Sequence, residues 1–184
     1  MDKDKLLKRA FRAFVVTSIL SEVTYKTISK KLIEDLFINR NDDDIYGQDL
    51  EGYKSNSIKF KSFDGYDLYG KLIENNNTNK YLILVHGLYE NMTHLSSIAK
   101  KFSDLGYNIL LIDQRNAGKS KGEYQSFGLK EAQDLALWIS CLNNKIKNID
   151  IYLYGKDIGG NTALLSLAYK LNNIKGIILD KPYV

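Results

Sequence analysis

Three short stretches hold the residue types and spacings that could do chemistry. One is Gly155-Lys156-Asp157-Ile158-Gly159-Gly160, in which glycines flank a central carboxylate at the spacing glycine–x–nucleophile–x–glycine. A turn that tight tolerates almost no side chain beside the central residue, and Gly155, Gly159 and Gly160 satisfy that demand. The second stretch is His86-Gly87-Leu88, and the third is Asp113-Gln114-Arg115-Asn116-Ala117-Gly118-Lys119-Ser120. Each follows an apolar run, and in open parallel sheets ligands bind outside the carboxyl ends of the strands. A side chain at position 157 would stand at the amino end of a helix, where backbone N–H groups and the dipole favour negative charge.

The elements that must position these residues are readable from hydrophobic period. Tyr81-Leu82-Ile83-Leu84-Val85 and Asn108-Ile109-Leu110-Leu111-Ile112 are continuous apolar runs, as expected of strands covered on both faces. Ile149 to Tyr154 and Gly176 to Asp180 give two more strands. Between them, residues 92–105, 128–142 and 158–170 have helical spacing, the first stopping at Gly106. Ile58, Phe60, Leu68, Tyr69, Leu72 and Ile73 suggest a hairpin turning at Ser62-Phe63-Asp64-Gly65. Asn75 to Asn79 is a loop. This alternation predicts an α/β fold, a mostly parallel sheet with helices on both faces. Residues 3–38 read as two helices, and Asn39 to Asp44 as a polar break. The expected division is a helical extension over residues 1–44 and an α/β domain over 45–184.

Composition narrows the classes of function. The 184 residues are 44% apolar and 26% charged, which excludes disorder, collagen-like repeats and disulfide scaffolds. The lone Cys141 excludes an intrachain disulfide and a cysteine-based zinc site, and favours a reducing, cytoplasmic compartment. Cys141 falls on a helix away from the strand ends and reads as packed. The net charge is +4, of which residues 1–12 carry three through Lys3, Lys5, Lys8, Arg9 and Arg12 against Asp2 and Asp4. No basic face remains elsewhere, so no nucleic-acid partner is expected. Residues 1–20 could touch an anionic membrane surface peripherally. The uncharged run from Ala13 to Ser21 is too short to span a bilayer and lacks a signal-peptide cleavage pattern. No cofactor motif or metal cluster is present, and no cofactor or metal is expected.

Residues 57–184 resemble the α/β-hydrolase superfamily, nearest its bacterial serine-hydrolase branch of lysophospholipase- and esterase-like proteins. The likeness rests on "FKSFDGYDLYGKL", "LILVHGLYEN", "LGYNILLIDQRNAGKSKGEY", "YGKDIGGNTALL" and "IKGIILDKPY", in that order, each at the appropriate strand end. It implies a carboxylic-ester or lysolipid hydrolase site with Asp157 at the nucleophile position. It also implies an oxyanion hole made by the backbone N–H groups of Leu88 and Ile158. A small acyl or ester ligand would be the partner. On this resemblance His86 shapes the oxyanion loop, His94 is a helix-cap or surface residue, and the Asp113–Ser120 loop is structural. In relatives that loop reads D-x-R-G-x-G-x-S, and Asn116 here replaces the middle glycine.

Two departures from that branch stand out. Relatives carry Ser where this chain carries Asp157. A carboxylate nucleophile is known in the epoxide hydrolases and haloalkane dehalogenases of the same superfamily, whose G-x-D-x-G-G pattern Gly155 to Gly160 fits. Otherwise the residue ends the chemistry and caps the helix, for which Asp is well suited. The second departure is that no His follows Asp157 in the sequence, and the only later acid is Asp180. Ser needs a base to take its proton, and an Asp ester needs a base to activate water. The chain reaches Lys181-Pro182-Tyr183-Val184 just past an internal strand of the resembled sheet. The domain is therefore expected to be incomplete at its carboxyl end, as a fragment, a shortened product or a non-catalytic protein. The apolar strand Gly176–Asp180 would then have an open edge, which favours self-association.

Overall fold

A computed structural model describes residues 53–75 and 78–183. The helical extension expected over residues 1–44, the break at Asn39 to Asp44 and the peripheral membrane segment lie outside the described residues. The expected hairpin is β1 (Ser55–Lys61) and β2 (Asp67–Ile73), paired antiparallel with Lys61 opposite Asp67. Then come β3 (Lys80–Val85), a 3-10 turn (Met92–Leu95) running into α1 (Ser96–Asp104), and β4 (Asn108–Ile112). The chain continues through α2 (Leu129–Lys145), β5 (Asp150–Lys156), α3 (Ile158–Ser166) and β6 (Ile174–Asp180). The sheet order is β1-β2-β4-β3-β5-β6. β3, β4, β5 and β6 are mutually parallel, and β2 joins β4 antiparallel.

The apolar runs are buried on both faces, as their composition requires. Ile83, Val85, Leu110, Ile112, Ile151 and Leu153 pack with Leu135, Trp138 and Ile139 of α2. Their alternates Leu82, Leu84, Ile109 and Leu111 pack on the other face with Met92, Leu95 and Ala99. Three helix boundaries differ from the periodicity, one of them the end of α2, which runs to Lys145 past the expected 142. The first expected helix opens as a 3-10 turn, because Asn91 caps it tightly: its Oδ1 accepts from the Thr93 N–H at 2.9 Å. The helix expected over 158–170 leaves α geometry after Ser166 and ends at Lys170, which has a left-handed φ of 50°. β6 pairs with β5 on one side, and Ile178 and Leu179 on it are partly exposed. Among the described residues no helix is long and apolar enough to cross a membrane.

One polar cluster fixes the loop after β4 to the rest of the domain. Arg115 is 1% exposed. Its Nε and Nη2 donate to the two oxygens of Asp134 on α2, at 2.7 and 2.8 Å. Its Nη1 and Nη2 donate to Asp64 in the hairpin turn, at 2.9 and 3.1 Å. The guanidinium beside Asp64 holds that carboxyl down at about 2. A buried cation must keep its partners, because removing one leaves an uncompensated charge in a low-dielectric site. Asp134→Ala is therefore expected to lose about 3–5 kcal/mol in urea unfolding. Asp64→Ala should lose less, because Asp64 is 25% exposed and water replaces part of its role. Equal losses for the two variants would contradict this division of labour.

Candidate active site

The turn from β5 into α3 brings three backbones into contact, and glycines are what permit it. A Cβ on Gly155 would lie 2.3 Å from the Gly159 carbonyl oxygen. A Cβ on Gly159 would lie 2.3 Å from the Val85 oxygen and 2.6 Å from the His86 oxygen. Gly160 faces Pro182, the only proline of the sequence, at a milder 3.0 Å. The chain therefore passes from strand to helix in a single residue, Asp157. It has φ 55° and ψ −122°, a conformation that costs a non-glycine residue of order 1–3 kcal/mol. Its N–H donates to the Asp180 carbonyl at 2.8 Å, which ties the turn to the end of β6.

This conformation decides where the carboxylate goes. The side-chain cap expected of an Asp at this helix end is not made. The positive φ turns Cβ away from the first amides of α3 and toward the loop after β3. There Asp157 Oδ2 accepts from the Leu88 N–H at 3.0 Å. The Tyr183 hydroxyl lies against the same carboxylate, whose charge raises the tyrosine pKa. Leu88 and Asp157, identified from sequence as an oxyanion donor and the nucleophile position, are thus in direct contact. Ile158, the other expected donor, opens α3 and is 1% exposed.

Neither histidine stands as a base beside Asp157. His86 is fully buried, with Nδ1 2.8 Å from the Gly87 carbonyl oxygen and Nε2 accepting from the Gln114 N–H at 3.0 Å. That pairing places the ring proton on Nδ1. The Gln114 side chain donates back to the His86 carbonyl at 2.7 Å and accepts from the Thr162 hydroxyl at 2.8 Å. The imidazole thus ties the loops after β3 and β4 to α3. Burial lowers its pKa below the ordinary 6.5. His94 closes the cap of the 3-10 turn, its Nδ1 accepting from the Asn91 N–H at 3.2 Å. In the third stretch, Asp113 accepts from the amides of Met92 and Lys119, each at 2.8 Å. The Ser120 hydroxyl donates to the Asp113 carbonyl and accepts from the Tyr69 N–H, so it holds a loop together. Asn116 has φ 54°, the left-handed conformation its glycine counterpart adopts freely. Asp180, the only acid after the elbow, accepts from the Tyr154 hydroxyl at 2.8 Å. Cys141 lies half-buried on α2, beside a cavity of about 260 Å³ lined by Ile58, Leu72 and Trp138.

Three residues of this corner were not singled out from the sequence. Glu90 accepts from the Gly87 N–H through Oε2 at 2.9 Å and pairs with Lys156 through Oε1. Tyr183 reaches Asp157 from beyond β6. Glu90 and Lys156 are 66 positions apart, and no local spacing announces such a pair.

A family described as serine aminopeptidase, S33 (Hydrolase_4) matches residues 76–184. The Bacillus subtilis (strain 168) protein YqkD, itself uncharacterised, is 31% identical over 141 residues, covering 75% of this chain and 46% of that protein. The chain spans about half the length of the curated relatives it matches. The Pyrococcus furiosus esterase Pf2001 superposes with a TM-score of 0.64 at 26% identity, over 71% of this chain and 51% of that one. The α/β hydrolase GrgF from Penicillium sp. sh18 gives 0.62 at 26%, over 70% and 46%.

Two outcomes follow from this geometry. Gly155→Ala and Gly159→Ala should each lower the melting temperature far more than Gly160→Ala, whose added methyl comes no nearer than 3.0 Å to Pro182 and 3.3 Å to the Gly155 carbonyl oxygen. A comparable loss for all three would sink the steric account of the turn. The second outcome is a pH dependence. His86 binds its proton less readily folded than unfolded, so the unfolded state gains protons first as pH falls. Stability should be fullest above pH 6.5 and decline as pH drops below it toward the depressed folded value. Burial raises the Asp134 carboxyl to about 6, which acts in the opposite sense over the same range. The His86 contribution is therefore read as the difference between wild type and His86→Asn: from pH 8 to 5 the wild-type urea midpoint should fall relative to that of the variant.

Proposed function

Because the chain belongs to the α/β-hydrolase superfamily, through the serine aminopeptidase S33 family, we propose that it carries the elbow and oxyanion side of a carboxylic-ester or lysolipid hydrolase site and does not complete ester hydrolysis on its own. The observation that carries this reading is the Asp157 carboxylate resting on the Leu88 amide. Ester hydrolysis needs a nucleophile, a proton acceptor and a free donor for the developing oxyanion. Here a carboxylate fills the nucleophile position and occupies one of the donors. Both imidazoles of the sequence are engaged elsewhere. The chain then serves as a non-catalytic α/β-hydrolase-like domain.

One observation favours a second reading, an Asp nucleophile of the epoxide hydrolase or dehalogenase type. With Oδ2 anchored on Leu88, the carboxylate is held in one orientation, and a carboxylate nucleophile, unlike a hydroxyl, needs no base to begin its attack. Carboxylate attack on an epoxide or alkyl halide forms a C–O bond as the ring C–O or carbon–halogen bond breaks. The resulting ester would persist without a base to activate water.

Other parts of the proposal rest on composition and edges. The single Cys141 favours the cytoplasm. The basic cluster in residues 1–12 supports peripheral contact with an anionic membrane through residues 1–20. The β6 edge, with Ile178 43% exposed, supports self-association.

Purified protein is expected to hydrolyse p-nitrophenyl acetate and butyrate no faster than buffer, and Asp157→Ser to remain equally inactive. Turnover that scales with protein and disappears in Asp157→Ala would overturn the non-catalytic reading. Intact mass after incubation with styrene oxide tests the second: an adduct on Asp157 would establish it, and an unchanged mass would remove it.

A further inference from the structure

Two successive amides in the loop after β3 are each met by a carboxylate. The Gly87 N–H donates to Glu90 Oε2 at 2.9 Å, and the Leu88 N–H donates to Asp157 Oδ2 at 3.0 Å. Both carboxylates converge on Gly87: a Cβ there would come 3.0 Å from Glu90 Oε2 and 3.1 Å from Asp157 Oδ2. Tyr89, next along, has a left-handed φ of 58°, which curls the stretch. Consecutive backbone N–H groups in such a curl form a concavity that binds anions. The structure therefore holds an anion pocket that is already filled, from within, by two of its own side chains. Lys156 neutralises Glu90. Asp157 reaches its place from the opposite wall, across 69 positions of sequence.

We propose that Asp157 is a built-in occupant of this amide pocket: its carboxylate holds the place that a small carboxylate from solution would otherwise take, and so closes the pocket to such ligands. The inference rests on the reading of Leu88 as a donor of this site and goes beyond it by naming both the ligand class and the group that excludes it. The 3.0 Å separation is within the range at which such donors hold an oxyanion. Asp157 keeps this post in a backbone conformation that suits glycine, so the side chain's contact opposes the strain of its own main chain. For that reason glycine at 157 should fold readily while emptying the pocket. Asparagine tolerates the same conformation and keeps a side-chain acceptor against Leu88 without the charge.

The test is a titration of ¹⁵N-labelled protein with sodium butyrate at pH 7, read at the Leu88 amide resonance. In the wild type and in Asp157→Asn the resonance should stay in place. In Asp157→Gly it should move saturably, with an apparent affinity for butyrate at least about tenfold above the wild type, the least expected from a hydrogen bond to a charged group. Asp157→Ser serves as a second opened variant should the glycine form not give a folded spectrum. A wild-type resonance that moves as the opened variants do, or opened variants with no saturable response, would overturn the proposal. Ester turnover by the wild type would overturn the non-catalytic reading and leave this titration to be judged by itself.

Discussion

The domain depends on one close approach, that of the first turn of α3 to the end of β3. Gly159 lies so near the Val85 and His86 carbonyls that a single methyl would occupy the same space. Gly155 meets Gly159 just as closely. This contact sets the distance between the central strands and the helix that follows. It also places residue 157 beside residue 88. A side chain at either glycine would have to push α3 off the sheet, and the Leu88 amide would then face solvent. The chemistry available at this corner, whether of a nucleophile or of an internal anion, is fixed by that spacing before any functional group is considered.

Two buried polar networks hold the loops that border the contact. His86, Gln114 and Thr162 join the ends of β3 and β4 to α3. Arg115, Asp64 and Asp134 join the β4 loop to the hairpin turn and to α2. Such groups are stabilising only when fully paired, because an unpaired buried donor or charge costs more than the pair returns. The His86 ring has a partner at each nitrogen, and Arg115 spreads its donors over two carboxylates. The loops at the carboxyl ends of the strands are therefore anchored by side chains in the core, and the elbow sits on a rigid base.

Much of this was legible in the sequence, for a reason visible in the elements. Strands covered on both faces must be apolar without a break, so Tyr81–Val85 and Asn108–Ile112 marked themselves to within a residue. The glycines around Asp157 marked the turn because sterics leave few other residues there. What stayed hidden depends on backbone direction or on distant partners. Residue type made a cap on α3 one of two readings of Asp157, and its φ of 55° accompanies a carboxylate that meets Leu88 instead. Glu90, Lys156 and Tyr183 converge from three separate segments, and no local pattern links them. Arg115 belongs to a recognisable loop, yet its two acidic partners lie 51 and 19 positions away.

A carboxylate at position 157 differs from a hydroxyl in more than its reactivity. A serine is neutral, short, and useful only when a base removes its proton. An aspartate is longer by one carbon, and here its carboxylate reaches the Leu88 amide. The same residue therefore forms the strand–helix turn and pairs with the Leu88 amide across from it. A donor already paired offers little to a transition state, since catalysis draws only on interactions that strengthen as the reaction proceeds. The turn that the glycines make possible thus directs its central carboxylate back onto an amide of the chain itself.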